Sequence, residues 1–408
     1  MNIDSGHTAW LLTASALVLL MTPGLAFFYG GLVRARNTVS TIMYSFVAMG
    51  VVSIVWVLWG YSLAFGEGGD LIGDFSMLGL SGIDINDVYP GSDIPTLLFV
   101  IFQMMFAIIT PALITGAFVE RFKFTTYLLF LVIWVTIVYA PIAHWVWGGG
   151  WLGNIGDGTL DFAGGTVVHI NAGVAAVAAA LLVGRRRDPG VEPHNVPYVV
   201  LGAALLWFGW FGFNAGSGLA ADAVAVNAFL VTNTAAATAA ITWGLISQIQ
   251  TGRMSAVGVA SGAVAGLVAI TPASGYVGVL GALAIGAGAG ALCYLAVLLR
   301  NRTQLDDALE VFAVHGVGGI WGAIATGIFA VAAIGGTAGA VDGNVGQVLT
   351  QAIAVIATIA YSFVATFIIL KVLDLIPGLS LRVSNPQEDQ GLDLSAHGER
   401  AFVRDGTD

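Results

Sequence analysis

The stretch LLTASALVLLMTPGLAFFYGGLVRAR (11–36) joins a long apolar run to two basic residues at its end. About 20 apolar residues are enough for a helix that crosses the hydrocarbon core of a membrane. Similar runs recur along the chain, in which 57% of the residues are hydrophobic and 9% are charged. Because a soluble domain carries about 25% charged residues, this composition excludes a soluble protein. The sequence therefore predicts an all-α integral membrane protein.

The ends of the apolar runs predict eleven transmembrane helices. Their predicted spans are 8–33, 40–65, 95–119, 124–147, 162–184, 196–215, 223–249, 254–271, 276–299, 311–333 and 346–377. The predicted membrane domain is 1–379, and a short polar tail, 380–408, follows it. Since Met1–Trp10 contains no Lys or Arg, we interpret the first run as a retained helix and not as a cleavable signal peptide.

The basic residues follow only the odd-numbered predicted helices. They are Arg34, Arg36, Arg121, Lys123, Arg185, Arg186, Arg187, Arg253, Arg300, Arg302, Lys371, Arg382, Arg400 and Arg404. Because basic loops remain in the cytoplasm, we predict an outer N-terminus and a cytoplasmic C-terminus. The predicted outer loops are acidic, which suits either a solvated surface or a vestibule that attracts cations.

Three of the six histidines lie inside predicted helices, and two of these, away from the helix ends, lie on stripes of small residues. His169 lies in GGTVVHINAG (164–173) and His315 lies in EVFAVHGVGG (310–319). Ionisable residues in the membrane core are candidate functional residues. Neutral imidazole has one hydrogen-bond donor and one acceptor and can transfer a proton. The pair therefore suits a pore for a small polar solute, while two unrelated core histidines bonded to carbonyl groups are the alternative.

The two histidines share the pattern V-H-x-x-x-G and lie five helices apart. An odd number of helices in a repeat reverses the orientation of the second copy, so we interpret helices 1–5 and 6–10 as an inverted repeat followed by helix 11. His144, beside Trp145, suits an interfacial position. Asp161 opens the fifth helix, where capping of the helix end is favoured over direct ion binding.

Aromatic residues lie near the predicted outer ends of several helices. Phe106 precedes Pro111, which interrupts the third helix, Trp147 starts a glycine run, and the sixth helix ends in WFGFNAGSG (210–218). Aromatic faces and a hydroxyl such as that of Ser217 can bind a small cation, and ordinary aromatic packing is the alternative.

The chemistry of an enzyme is not suggested by these residues. Two histidines without cysteine or paired carboxylates form an incomplete metal site, and the sequence contains no nucleophile triad or phosphate-binding loop. We expect no metal, no cofactor, no enzyme activity and no nucleic-acid partner.

Taken together, these segments closely resemble the ammonium transporter family, the Amt branch of the Amt/Mep/Rh superfamily. The matching stretches span nearly the whole chain in order. They are PGLAFFYGGLVRARN (23–37), FQMMFAIITPALITGAFVERF (102–122), PIAHWVWGGGWL (141–152), LDFAGGTVVHINAG (160–173), WFGFNAGSG (210–218), ITPASGYVG (270–278), VFAVHGVGGIWG (311–322) and GLDLSAHGERAF (391–402).

The resemblance implies a homotrimer in the cell membrane, in which each protomer has its own pore. It assigns Phe106, Trp147 and Ser217 to an outer ammonium-binding site. It also assigns Phe106 and Phe213 to a gate beneath that site. A trimeric nitrogen-regulatory protein of the PII type is the implied partner at the cytoplasmic face.

The resemblance also assigns residues along the pore itself. His169 and His315 match the twin pore histidines, and Trp210 and Thr271 match positions of the pore wall. Asp161 matches an aspartate near the outer mouth that is structurally and functionally important in the family.

Three positions in two motifs depart from the family pattern. Glu310 lies five residues before the second histidine, where an aspartate is expected. In the tail motif SAHGERAF (395–402), Ala396 replaces an acidic residue and Phe402 replaces a tyrosine.

The predicted mechanism starts with NH₄⁺ at the outer aromatic site. Loss of a proton lowers the cost of entering an apolar pore, and NH₃ then passes the two histidines while the proton either follows it or returns outside. One alternative is a sensor that reports ammonium through its cytoplasmic loops and tail with little flux. Another is a passive conduit for a small neutral molecule such as CO₂.

Overall fold

The computed structural model describes residues 3–189 and 192–402, which form an all-α bundle. Ten helices in this part of the chain are long and apolar enough to cross a membrane. They are α1 (Ser5–Leu32), α2 (Ala35–Phe65), α3 (Thr96–Ala117), α4 (Phe124–Trp147), α5 (Gly165–Val183), α6 (Val196–Gly216), α7 (Ala223–Thr251), α9 (Val279–Arg300), α10 (Phe312–Phe329) and α11 (Gly346–Leu375). The predicted all-α membrane architecture is confirmed.

The eighth predicted helix is shorter than its neighbours. The structure places α8 at Ala256–Ile270, a helix of 15 residues. At 1.5 Å per residue this is about 22 Å, which is less than the hydrocarbon thickness of about 30 Å. The count of eleven full spans and the orientation of the bundle therefore stay predictions, whereas the position of the eighth helix agrees with the sequence.

Glycine at helix crossings allows the helices to pack backbone to backbone. The most extensive contact between two helices joins α1 and α6, and a Cβ atom added at Gly202 of α6 would collide with the backbone of Phe28. In the same way, a Cβ at Gly173 of α5 would collide with the backbone of Gly316 in α10. Small residues permit such close approach in membranes, so the two helices that carry the predicted pore histidines are in direct contact.

Four of the transmembrane helices contain a π-helical turn. These turns are Trp56–Gly60, Val135–Tyr139, Gly165–Ile170 and Phe312–Gly316. A π turn widens the helix by one residue, is rare, and is frequent at functional sites. The last two turns contain His169 and His315, so both histidines lie where the regular helical hydrogen bonding is interrupted.

Buried charges link the loops at the predicted cytoplasmic end of the bundle. Asp306 accepts hydrogen bonds from Arg186 at 2.8 and 2.9 Å, and Glu120 forms ion pairs with both Arg34 and Arg186. Burial alone would raise the pKa of Asp306, but the hydrogen bonds from Arg186 and the charges of Arg121 and Arg186 lower this pKa to about 2. The carboxylate is therefore charged throughout the physiological range of pH.

The predicted tail folds back onto this network. The short helices α12 (Asn385–Gln390) and α13 (Leu392–His397) carry it, and Arg382 pairs with Glu388 at 2.7 Å. The backbone N–H of Ser40, at the start of α2, donates to Asp393 at 2.8 Å. Residues 403–408 of the tail, with the basic position Arg404, lie outside the described residues, and the domain boundary at residue 379 stays a prediction.

The substitution Gly173→Ala tests the crossing of α5 and α10. The added methyl group meets backbone atoms that cannot rotate away, so we expect a loss of roughly 2 kcal/mol of stability, seen as a lower melting temperature of the purified protein in detergent. Gly50→Ala is the matched control, because a Cβ there meets nothing within 4 Å. Equal melting temperatures for the two variants would contradict the proposed close approach.

The substitution Asp306→Asn tests the buried charges. It leaves the fully buried Arg121 without a carboxylate partner and Arg186 with Glu120 alone, so we expect a loss of roughly 3 kcal/mol in the same measurement. Asp188→Asn, at an ion pair with Arg34 whose carboxylate is 79% exposed, should change stability by less than about 1 kcal/mol. A neutral effect of Asp306→Asn would show that the network contributes nothing to the fold.

Candidate functional site

Two of the three residues predicted to bind a cation, Phe106 and Trp147, lie next to each other at the predicted outer end of the candidate pore. The rings of Phe106 and Trp147 lie nearly perpendicular, with centroids 6.0 Å apart. Trp147 is fixed by a 2.8 Å hydrogen bond from its Nε1 to the carbonyl oxygen of Asp161. Ser217 is half-buried just after the end of α6, and its Oγ donates to the carbonyl oxygen of Phe213 at 2.8 Å.

Phe106 and Phe213, the predicted gate residues, contact each other next to this group. Their ring centroids are 4.3 Å apart with an angle of 42° between the planes, and both side chains are buried. Two rings in van der Waals contact leave no space for a hydrated ion between them. A gate at this position stays a prediction.

The two predicted pore histidines lie directly below the phenylalanine pair. The Nδ1 atoms of His169 and His315 are 3.2 Å apart, and their rings are nearly parallel, with centroids 5.3 Å apart. The ring of His169 also stacks against Phe213 at 5.9 Å and against Trp210 at 5.4 Å. The alternative of two histidines bonded separately to carbonyl groups does not describe this geometry, because the imidazoles contact each other.

The contact between the two Nδ1 atoms determines which nitrogen atoms carry the protons when both imidazoles are neutral. One imidazole must carry its proton on Nδ1 and donate it, and the other must accept through an unprotonated Nδ1. The first ring then has an acceptor at Nε2, and the second has a donor there. In the structure, Nε2 of His169 is buried without a hydrogen-bond partner, so it is available to a small polar solute.

A narrow cavity runs beside the two imidazoles. Its volume is about 20 Å³, which suits about one water-sized molecule. Most of its wall is apolar and includes Leu25, Phe28, Ile109 and Leu206. A charged species would lose its hydration here without equivalent new interactions. The free-energy cost of dehydration is much smaller for a neutral molecule.

The remaining predicted residues support the wall and the helix that carries His169. Nε1 of Trp210 donates to Oγ1 of Thr271 at 2.8 Å, which fixes the indole that stacks on the histidine. Asp161 accepts hydrogen bonds from the backbone N–H groups of Gly164 and Thr166 at 2.8 and 2.9 Å. Its two oxygens are thus occupied by the first residues of α5, which is the geometry of a helix cap and leaves little for a bound ion.

Asp307 plays the corresponding part in the second half and was missed in the sequence. It is buried, lies eight residues before His315, and accepts the backbone N–H of Phe312 at 2.7 Å. Asp161 likewise lies eight residues before His169. This equal spacing could have identified Asp307, and it agrees with the interpretation of an inverted repeat. Burial raises the pKa of Asp307 above its usual value, although hydrogen bonds from Phe312 and Val311 oppose this shift.

His144 lies near the end of α4, and its interfacial position stays a prediction. Its side chain is buried, with Nδ1 3.0 Å from the carbonyl oxygen of Ala64 and Nε2 2.7 Å from that of Gly69. The ring therefore fastens the loop after α2 to the end of α4. The hydropathy pattern could not show this contact, because the two carbonyl groups come from the end of α2 and from the loop after it, far away in the chain.

Within residues 3–189 and 192–402, no group of three or more His, Cys, Asp or Glu side chains is placed to hold a metal ion. The two histidines contact each other, and the residues around them are aromatic or aliphatic except for Glu310. The site is thus suited to hydrogen bonding and proton transfer.

Comparisons with known proteins agree with this geometry. The model of the Ammonium Transporter Family matches residues 9–402. An ammonium transporter of Bacillus subtilis is 48% identical over 404 residues, which cover 98% of this chain and 99% of that protein. The ammonium transporter Amt1 of Archaeoglobus fulgidus is 47% identical, with 98% and 100% covered.

Solved structures show the same fold. The crystal structure of Candida albicans Mep2 has a TM-score of 0.89 at 38% identity and covers 94% of this chain and 88% of that one. A structure described as a sensor Amt protein has a TM-score of 0.88 at 31% identity, with 96% and 98% covered. A family match over nearly the full length, with relatives close to half identical, shows that this multi-pass membrane protein belongs to the Ammonium Transporter Family.

Proposed function

We propose that this protein takes ammonium into the cell by binding NH₄⁺ outside, removing a proton and conducting NH₃ past the paired histidines. The observation that carries this proposal is the pair itself, with its 3.2 Å contact in a cavity for one small molecule. The family and the named relatives support ammonium as the substrate. The steps below are inferred from the geometry of the site.

The outer aromatic residues would bind the cation. Phe106 and Trp147 present ring faces that attract a positive charge, and the hydroxyl of Ser217 can accept a hydrogen bond once it rotates. Such a site is worth about 0.5–2 kcal/mol for a small cation, more as the site is desolvated. This is enough to concentrate NH₄⁺ without holding it tightly.

The phenylalanine pair and the apolar cavity would then select the neutral form. Moving a bare charge into this space costs far more than moving a neutral molecule that can form hydrogen bonds. Ammonia has one acceptor and three donors, so it can bond both to an Nε2 donor and to an Nε2 acceptor of the histidine pair. We infer that the imidazoles replace part of the hydration that ammonia loses.

The histidine pair also offers a path for the proton. A proton accepted at the Nε2 of the ring that carries Nδ1–H can be matched by transfer of the shared Nδ1 proton to the other ring, whose Nε2 proton is then released. This exchange moves one positive charge along the pore and inverts both tautomers. We propose that it makes transport electrogenic, with the tautomers reset before the next cycle.

The protein is proposed to work as a homotrimer, with a PII-type regulator as its partner at the cytoplasmic face. A sensor is the second candidate function, because one close structural neighbour carries that description. Ammonium flux through purified protein in vesicles separates the two, since a sensor without transport activity would give none.

The double substitution His169→Ala/His315→Ala tests the histidine pair. Solid-supported-membrane recording on proteoliposomes should show a saturable current after an ammonium pulse for the unmodified protein and none for the double variant, because the proton path is removed. His7→Ala, which removes a histidine at the start of α1 and away from the candidate pore, should keep the full current. A full current in the double variant would contradict the role of the pair, and ammonium flux without current would contradict electrogenic transport.

The exclusion of potassium tests the proton-loss step. K⁺ is similar in size to NH₄⁺ but has no proton to lose, so a K⁺ pulse should give no current above that of empty liposomes. The measurement is made on the same proteoliposomes that respond to ammonium, which shows that the protein is active. Potassium currents comparable to the ammonium currents would show that the intact cation passes, and this mechanism would be wrong.

A further inference from the structure

Glu310 lies where the pore meets the space at the predicted cytoplasmic end. It lines the narrow pore cavity together with His315, and it also lines a larger polar cavity of about 480 Å³ with Arg185, Arg186 and Arg300. Among the described residues that line the pore cavity, Glu310 is the only charged one. Any molecule that leaves the histidines in this direction therefore passes this carboxylate.

The partner of Glu310 is an arginine in a partly exposed ion pair. Arg300, the last residue of α9, donates from Nε to Oε2 of Glu310 at 3.0 Å, and its Nη2 contacts Oε1. The two side chains are 20% and 22% exposed. Asp306, the other carboxylate of the polar cavity, is bound by Arg186 and is almost completely buried. The pair of Arg300 and Glu310 is thus the more exchangeable of the two.

The backbone of Glu310 has a conformation that residues with a side chain disfavour. Its φ is 62°, in the left-handed region that favours glycine. Such a conformation costs about 1 kcal/mol or more for a residue with a side chain, and it often occurs at functional sites. The carbonyl group of Glu310 accepts the N–H of Val314 at 3.0 Å, which ties this residue to the turn that holds His315.

We propose that the carboxylate of Glu310 binds ammonium at the inner mouth and that Arg300 acts as a tethered cation that competes for the same carboxylate. In the proposed uptake direction, ammonia takes a proton from hydronium in the water of the polar cavity, which yields NH₄⁺ and water. Glu310 binds this NH₄⁺, and Arg300 displaces it into the cytoplasm. This inference rests on the proposed ammonium transport.

The charges around the polar cavity determine how ammonium and Arg300 compete for Glu310. Three arginines face two carboxylates there, and Arg186 already neutralises Asp306. Without Glu310 the cavity would be strongly positive and would repel ammonium. Partly exposed ion pairs have small net stabilities, so a cation that arrives from the pore can exchange with Arg300. Arg300 then prevents Glu310 from retaining the ion.

Opposite effects of two substitutions test this inference. Ammonium transport is measured in right-side-out and inside-out membrane vesicles, which give separate KM values for the outer and inner faces. Glu310→Gln should raise the inner KM on the order of fivefold, because the binding charge is lost. Arg300→Gln should lower the inner KM by a similar factor, because the competitor is lost. The outer KM should not change in either variant.

Matched variants separate this role from a structural one. Glu310→Asp keeps the charge and should keep the inner KM within about twofold. Arg302→Gln removes a positive charge two residues away, at an exposed position, and should have no effect. If Glu310→Gln and Arg300→Gln change the inner KM in the same direction, or change both faces equally, the pair is structural and the inference is wrong. If the unmodified protein transports no ammonium from either face, the proposed function fails, and the inference fails with it.

Discussion

The direct contact between the backbones of α5 and α10 is the constraint on which the pore depends. A side chain at Gly173 would collide with the backbone of Gly316 and displace α10, and this crossing brings Nδ1 of His169 within 3.2 Å of Nδ1 of His315. Helices that pack through larger side chains are 8–10 Å apart, which would separate the imidazoles. In a bilayer, where apolar side chains gain little by leaving lipid, close backbone packing of this kind stabilises the association of helices.

The two halves of the candidate pore stabilise an irregular helical turn in the same way. Each histidine lies in a π turn at the start of a helix, and each turn is preceded by a buried aspartate that accepts backbone N–H groups, Asp161 in one half and Asp307 in the other. A wide turn leaves N–H groups without regular partners, and unpaired groups are costly in a membrane. The aspartates offset that cost, so they allow the irregular backbone that directs both imidazoles into one path.

Hydropathy predicted the order and the approximate positions of the helices because each span is a continuous apolar run with a basic or turn-forming end. The predicted eighth span, 254–271, was already short, and α8 begins two residues later and ends one residue earlier. The π turns could not be predicted, because a single inserted residue hardly changes the mean hydropathy of a window of about 20 residues. For the site, recognisable motifs predicted the histidines and aromatic residues, whereas the roles of His144 and Asp307 depend on contacts between residues far apart in the chain.

The closed contact of Phe106 with Phe213 raises the question of what moves during transport. Phe213 lies on α6, whose Gly202, Gly209 and Gly212 fit closely against α1, so a shift of the whole helix would disturb the most extensive packing in the bundle. A change of side-chain rotamer requires no such shift and can occur in nanoseconds where there is space for the ring. The cavity below accepts about one small molecule, so the proposed mechanism needs an opening for only one molecule at a time. In that mechanism the helices would remain fixed during transport, in contrast to transporters that rock between two conformations.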